Sequence, residues 1–344
     1  GHQAATYTPD SATFVEFAKD LTTQNHYNYG TADQTVGYIV NGSSDDWMYG
    51  DQSSKPKIYS LTPEAGAVDY GFWPPKNMIT GICKENIFQN LQAAYLLLKY
   101  AIITDKEPRY VSNTNGFFKY KLKELGLDAP ATFTVSIIPL STNITGVGSP
   151  NIHSSLSFLQ EATDSISFTL GIVSPGQTLR YLLSVNNGSY TQQDTIIKMY
   201  GQPVIAFTSD GNSMTGWTST TGWGTTADYF HSSTMSITDS PGGDYNSNDS
   251  TFITTSTAIN LGNAISATLS FWARWETEPR IDYIEVQAST DNGATWDKLC
   301  GKYTKPGTAY EDINEPLYDG YQLEWFREEI DMDNYINQNV LLRF

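Results

Sequence analysis

A carboxylate at the end of a buried strand can accept and return a proton, and Glu64 has that setting in sequence. It follows Lys57 to Thr62, whose alternation predicts a short buried strand, and it lies between Pro63 and Gly66. A solvated loop glutamate is the other reading of the same residues. Upstream stand Tyr38 and the run Ser43-Ser44-Asp45-Asp46-Trp47, where Asp45 suits the first turn of a short helix. Catalytic zinc takes histidine and carboxylate ligands, and a His-x-x-Glu spacing could present two of them from one turn. The four histidines here are followed three residues later by Ala5, Tyr29, Leu156 and Thr234, so that pair is missing.

Other residues suggest different chemistry. Asp239, Asp244, Asn246 and Asp249 place hard oxygen ligands in a glycine-rich loop, which would suit calcium or equally a solvated loop; the spacing is not that of an EF-hand. Ser289-x-Asp291-x-Gly293-x-Thr295-Trp296 has the form of an Asp-box but occurs once, whereas a propeller repeats its hairpin, so it reads as a stable turn. Trp217, Trp223, Trp275 and Trp325 are candidates for stacking on sugars, with burial in a core as the alternative. No Gly-x-Ser-x-Gly elbow, phosphate loop or Cys-x-x-Cys pair is present.

Three spaced elements occur in order: Tyr38-x-x-x-Gly42-x-x-x-Asp46-Trp47-x-Tyr49, then Tyr59-Ser60-x-Thr62-x-Glu64, then Gly71-Phe72-x-x-Pro75. Over about residues 10 to 101 this pattern resembles the second half of the zinc carboxypeptidase catalytic domain, the family of carboxypeptidases A, B and T. The resemblance implies that Glu64 is the general base and that Tyr38 closes over the substrate's C-terminal residue. It also implies a zinc cofactor, whose ligands are expected upstream of this chain. By position His2 is the one candidate for the family's later histidine, though its flank departs from the pattern. Asp45 falls where basic-preferring members carry a pocket aspartate, which would pair with a Lys or Arg side chain. The resemblance likewise places the family's substrate-gripping arginines upstream of this chain.

Positioning Glu64 requires neighbouring elements. Asp10 or Ser11 should cap a helix whose Phe14, Phe17, Ala18 and Leu21 share one face. A long helix is predicted over about 76 to 101, with Ile79, Ile82, Cys83, Ile87, Leu91, Ala94, Tyr95 and Leu98 at spacings of three and four; it should pack on the sheet that holds Glu64. Beyond it, FFKYKL, ATFTVSIIPL, SISFTLGI, TLRYLLSV and TIIKMYG alternate between turn clusters, and Asn187-Gly188 marks a hairpin. These read as an immunoglobulin-like sandwich. The last region holds six of the eight tryptophans; TLSFWARWE and DYIEVQASTDNGATWDKL are strand-like, with a turn at Asp291-Asn292-Gly293. Its order resembles jelly-roll modules of secreted bacterial peptidases, with Phe271-Trp272 and Asp282-Tyr283 as a pair of strands and an ending in mid-strand.

The expected organisation of the 344 residues is therefore multi-domain. It comprises a partial α/β zinc-carboxypeptidase domain (1–102), an immunoglobulin-like β-sandwich spacer (103–201) and a truncated jelly-roll module (202–344). With 20 basic and 37 acidic residues the formal charge is −17, which argues against nucleic acid and anionic membranes as partners. No apolar run is long enough to span a bilayer. Cys83 and Cys300 fall in different expected domains, read as structural thiols, and predict no disulfide. The resulting expectation is a secreted or cell-surface carboxypeptidase acting on peptides, this chain lacking the zinc ligands and inactive alone. The alternative is an adhesion or carbohydrate-binding protein with a glycan or cell-surface ligand for its last module and a degenerate peptidase platform.

Overall fold

The first helix, α1, runs Ser11–Leu21 after Asp10, and it buries Phe17 and Leu21 on the face that the spacing indicated. The computed structural model describes residues 7–66, 72–278, 280–308 and 310–344, in two compact units, 1–202 and 203–344. The architecture is rich in β-strand, with few helices and several sheets.

Helices occupy the start of the first unit. After α1 come α2 (Ala32–Thr35), α3 (Ser44–Gly50), α4 (Ile79–Glu85) and α5 (Ile87–Tyr95). The single long helix predicted over 76 to 101 is thus divided. At the break, Asn86 donates from Nδ2 to the Ile82 carbonyl at 2.8 Å, a side-chain bond that competes with helix continuation. The expected apolar face is also not the buried one. Ile79, Ile87, Leu91 and Leu98 are exposed, while Asn86, Gln92 and Leu96 are buried. Lys57 to Thr62 is extended but belongs to no strand, and Ile58 and Leu61 are exposed. The predicted buried strand is therefore a surface segment. An extended segment with no ladder partner cannot bury both of its faces, and α5 packs instead through Leu96 against Phe17, Tyr100 and Leu125.

The sandwich that follows comes from clear alternation. Its strands are β1 (Ala101–Asp105), β2 (Tyr110–Val111), β3 (Asn115–Glu124), β4 (Ala131–Pro139), β5 (Ile144–Val147), β6 (Asn151–Leu156), β7 (Glu161–Leu170), β8 (Thr178–Asn186) and β9 (Thr191–Tyr200). One sheet has the order β1-β3-β7-β5 and the other β2-β9-β8-β4-β6. Phe118, Tyr120 and Leu122 of β3 face Phe133, Val135 and Ile137 of β4 and Leu179, Tyr181 and Leu183 of β8 in one core. Phe118 stacks on Phe168 in its own sheet and on Tyr181 in the other, each at 4.2 Å, so one ring ties the layers together. The expected hairpin at Asn187-Gly188 joins β8 to β9, pairing Asn186 with Thr191, and Gly188 takes φ +90° as such a turn demands.

In the second unit, the strand Thr268–Glu276 pairs antiparallel with Tyr321–Asp331, with an irregularity between Ala273 and Trp275. The expected pairing of Phe271-Trp272 with Asp282-Tyr283 is not formed, since Tyr283 pairs with Asp319 instead. Period-two alternation identifies a strand but not its neighbour. The final strand, Asn339–Arg343, is central: it pairs with Ile253–Thr255, Ile259–Asn260 and Gln287–Ser289. Val286, Phe326, Ile330, Val340 and Leu342 lie in the core of this unit.

Candidate functional site

Of the three residues Tyr38, Asp45 and Glu64, Asp45 lies in α3, Tyr38 precedes that helix in the chain, and Glu64 follows the segment that Asp45 holds. Ser43 caps that helix, accepting from Asp46 N at 3.3 Å, and Asp46 accepts from Gly42 N at 2.7 Å, which closes the preceding turn. Asp45 lies in the first turn, as the helix reading of this run expected. Its two carboxylate oxygens accept from the hydroxyls of Ser60 and Thr62 respectively. Alternate residues of an extended segment share one side, so a single aspartate can hold both. Asp45 is thereby brought onto the segment that leads to Glu64, while Tyr38 and Glu64 are both exposed.

The segment is anchored at both ends. Ile58 N donates to Met48 O at 3.2 Å, and Tyr59 packs edge-on against Phe14 and Phe17 of α1 at 5.4 and 5.6 Å. Lys57 pairs with Asp10, which also accepts from Tyr49 OH at 2.9 Å; the Lys57 hydrogen bond is the main reason that the Asp10 carboxyl is held below its ordinary range. Past Glu64, Gly66 N donates to Tyr27 OH at 2.9 Å, and that hydroxyl donates to Glu85 at 2.6 Å. Burial, followed by the Glu85 carboxylate, raises the Tyr27 phenol. Glu64 therefore sits in a short loop held by Asp45 on one side and by Tyr27 on the other. Sequence reasoning missed Tyr27, Asp10 and Lys57. Partners tens of residues apart leave no local spacing to find, and each residue type is ordinary at a surface.

Metal ligands are a separate matter. Among the described residues, no group of three or more His, Cys, Asp or Glu side chains is placed to hold a metal ion. The expected calcium residues Asp239, Asp244 and Asp249 do not form such a group. Asp239 accepts from the Ser240 hydroxyl at 2.9 Å, and Asp249 accepts from Asn246 at 3.3 Å. His2 and Gly71 lie outside the described residues. His153 is hydrogen-bonded to Tyr120 at 2.9 Å, and His231 stacks on Trp272 at 3.7 Å. The described donor set does not fit zinc, and no step through that metal can be assigned to these residues.

The remaining candidates take structural positions. Asp291 accepts from Ser289 at 2.8 Å and from Thr295 N at 2.9 Å, and Ser289 accepts from Gly293 N at 2.8 Å, so the single Asp-box is a self-tied turn. Thr295 is the largest of the hydrogen-bonding influences that lower Asp291 to about 2. Trp275 donates to Asp319 O at 3.0 Å and packs against Tyr318 and Phe326, a core position. Trp217 packs edge-on against Phe207 and Phe344. Trp272, not singled out for sugar binding, is partly exposed, and His231 covers one face of its ring. Cys83 and Cys300, expected as structural thiols, are free and exposed.

A comparison with curated proteins found no match. Among solved structures, the chain is similar to the secreted serine protease VesC from Vibrio cholerae at 10% identity, covering 75% of this chain and 52% of that one, with a TM-score of 0.26. The chain thus spans about half the length of that protein, and a likeness this weak carries no argument. The informative match is to a family model, described as zinc carboxypeptidase, over residues 1–89. That span contains α1 to α3, Asp45, Tyr38 and Glu64 together with both anchors of the Glu64 loop. The match over residues 1–89 is consistent with a partial zinc carboxypeptidase domain, in line with the resemblance carried by Tyr38, Asp46, Trp47, Tyr59, Glu64 and Pro75.

Proposed function

We propose that the 1–89 segment serves a peptidase that removes C-terminal residues from peptides, with Glu64 as the proton-transferring base and Tyr38 as the residue that closes over the substrate's end. The observation that carries this reading is the Glu64 loop. Asp45 grips Ser60 and Thr62, Tyr27 grips Gly66, and a carboxylate between two fixed points is a positioned group despite its exposure. An open position also suits a residue that must meet a peptide. Asp45, with both oxygens already accepting hydroxyls, supports Glu64 by holding its segment; a pocket role toward basic C-terminal residues would use the charge that remains.

The family is zinc-dependent, and we propose that the ligands come from polypeptide outside these 344 residues. The sandwich then acts as an immunoglobulin-like spacer and the last unit as a jelly-roll accessory module, giving divisions at 1–102, 103–201 and 202–344 in a secreted or cell-surface protein. The test is C-terminal trimming of a peptide, followed by mass spectrometry, in the protein encoded by the complete gene. Glu64→Gln is expected to lower the rate by about 10² to 10⁴-fold with zinc content unchanged, the range for a lost acid-base group. Wild-type trimming by the Glu64→Gln protein would remove Glu64 from the chemistry. The 344-residue chain alone is expected to trim nothing.

A further inference from the structure

The second unit holds a lysine and an aspartate in a setting that differs from an ordinary ion pair. Lys305–Pro306 and Pro316–Asp319 are adjacent antiparallel strands, with Lys305 opposite Leu317. Asp319, two residues beyond Leu317, projects to the same face as Lys305. The Asp319 side chain is fully buried, and Lys305 Nζ contacts its Oδ1. That contact lacks hydrogen-bond alignment. Among the described residues Oδ1 has no hydrogen-bond partner, although the amine is against it. The other oxygen, Oδ2, accepts from Arg280 N at 2.7 Å. The amine thus lies against a buried carboxyl group with which it makes no aligned hydrogen bond.

A second buried carboxylate, Glu311, acts electrostatically on the lysine. Glu311 is buried; its Oε2 accepts from Thr308 N and the Thr308 hydroxyl, each at 2.8 Å, while Oε1 has no hydrogen-bond partner among the described residues. Burial is the main cause that lowers Lys305 to about 8; the charge of Glu311 opposes that shift and the charge of Arg280 adds to it. A substantial share of the amine is then neutral in mildly basic water, as a nucleophile requires. Leu317 and Tyr318 are buried alongside, excluding solvent.

We propose that Lys305 and Asp319 become joined by an intramolecular amide bond, with Glu311 as the proton relay. A proton first passes from the ammonium to the Asp319 carboxylate, leaving an amine and a carboxylic acid. The Nζ lone pair attacks Cγ, and the negative charge developing on Oδ2 is met by the Arg280 N–H. Glu311 takes one proton from Nζ and delivers it to Oδ1. The Cγ–Oδ1 bond breaks and Oδ1 leaves as water. Glu311 ends as it began, and no oxidant or co-reactant is needed. The buried site favours the product because a neutral amide removes two charges that are costly to keep away from water.

The measurement is the intact mass of the denatured 344-residue chain, followed by proteolysis and fragment sequencing. The expected result is a chain lighter than its sequence by one water, with a branched peptide linking Lys305 to Asp319. Lys305→Arg should restore the full sequence mass, and Glu311→Gln should do so while circular dichroism shows the fold retained. An unshifted wild-type mass, with Lys305 open to acylation in denaturant, would overturn the proposal without recourse to any variant. A water lost with no Lys305–Asp319 branch would overturn it too. The linked mass persisting in Glu311→Gln would overturn the relay.

Discussion

Two buried carboxyls give the first unit a pH dependence. Asp20 of α1 lies among Phe17, Leu21, Leu96 and Tyr100, accepting from Gln92 at 2.7 Å and from Tyr100 at 3.0 Å. Glu124 ends the inward-facing series Phe118, Tyr120, Leu122 of β3, so the alternation that builds the core also buries this carboxyl. It accepts from Gly126 N at 3.1 Å, and its Oε2 has no hydrogen-bond partner among the described residues. Burial is the leading cause in both cases, raising Asp20 from 3.8 to about 6 and Glu124 from 4.5 to about 7. Raised values mean that the folded chain holds these protons more tightly than the unfolded chain does. Their stabilisation is complete below about pH 4 and is lost as pH rises through about 6 to 7. The melting temperature of the first unit should therefore fall between pH 5 and pH 8, and the pair Asp20→Asn, Glu124→Gln should flatten that slope. An unchanged slope in the double variant would assign the pH dependence to other groups.

At the scale of elements, the turn after β3 fixes where the helical segment meets the sandwich. Leu125 N and Gly126 N both donate to Tyr100 O at 2.9 Å, and Leu127 N donates to Leu96 O at 2.8 Å. A Cβ on Gly126 would overlap Leu98 O and Tyr100 N, which are backbone atoms that no rotamer change can move aside. Gly126→Ala should cost about 1 to 3 kcal/mol in denaturant unfolding, the usual range for overpacking; a neutral result would show that this junction can shift. The elements around it were unevenly legible. Residues 115–124, 131–139, 161–170, 178–186 and 191–200 could be read because each alternates against a core. The short β5 and β6 carry too few buried residues to stand out. The 76–101 segment misled because spacing shows that a helix could form, whereas the Asn86 side-chain bond to Ile82 O interrupts it.

For the whole molecule, separate cores at Phe118–Tyr181 and at Val286–Phe326 predict unfolding that is not two-state. Calorimetry should resolve two transitions, with only that of the first unit responding to Asp20→Asn and Glu124→Gln. A single transition that shifts as one would contradict independent cores. Sequence by itself carried the resemblance of the first segment to the zinc carboxypeptidases, because Tyr38, Asp46, Trp47, Tyr59, Glu64 and Pro75 form an ordered pattern over a short span, and the family-model match over residues 1–89 agrees with it. It also determined the strands of the sandwich, since period two against a core is a local signal. Only the tertiary structure decided that Glu64 lies in an exposed loop between Asp45 and Tyr27. It alone placed the Lys305 amine against the buried Asp319 carboxylate. These are contacts between residues far apart in sequence or on different strands, and such contacts follow from how elements pack rather than from spacing along the chain.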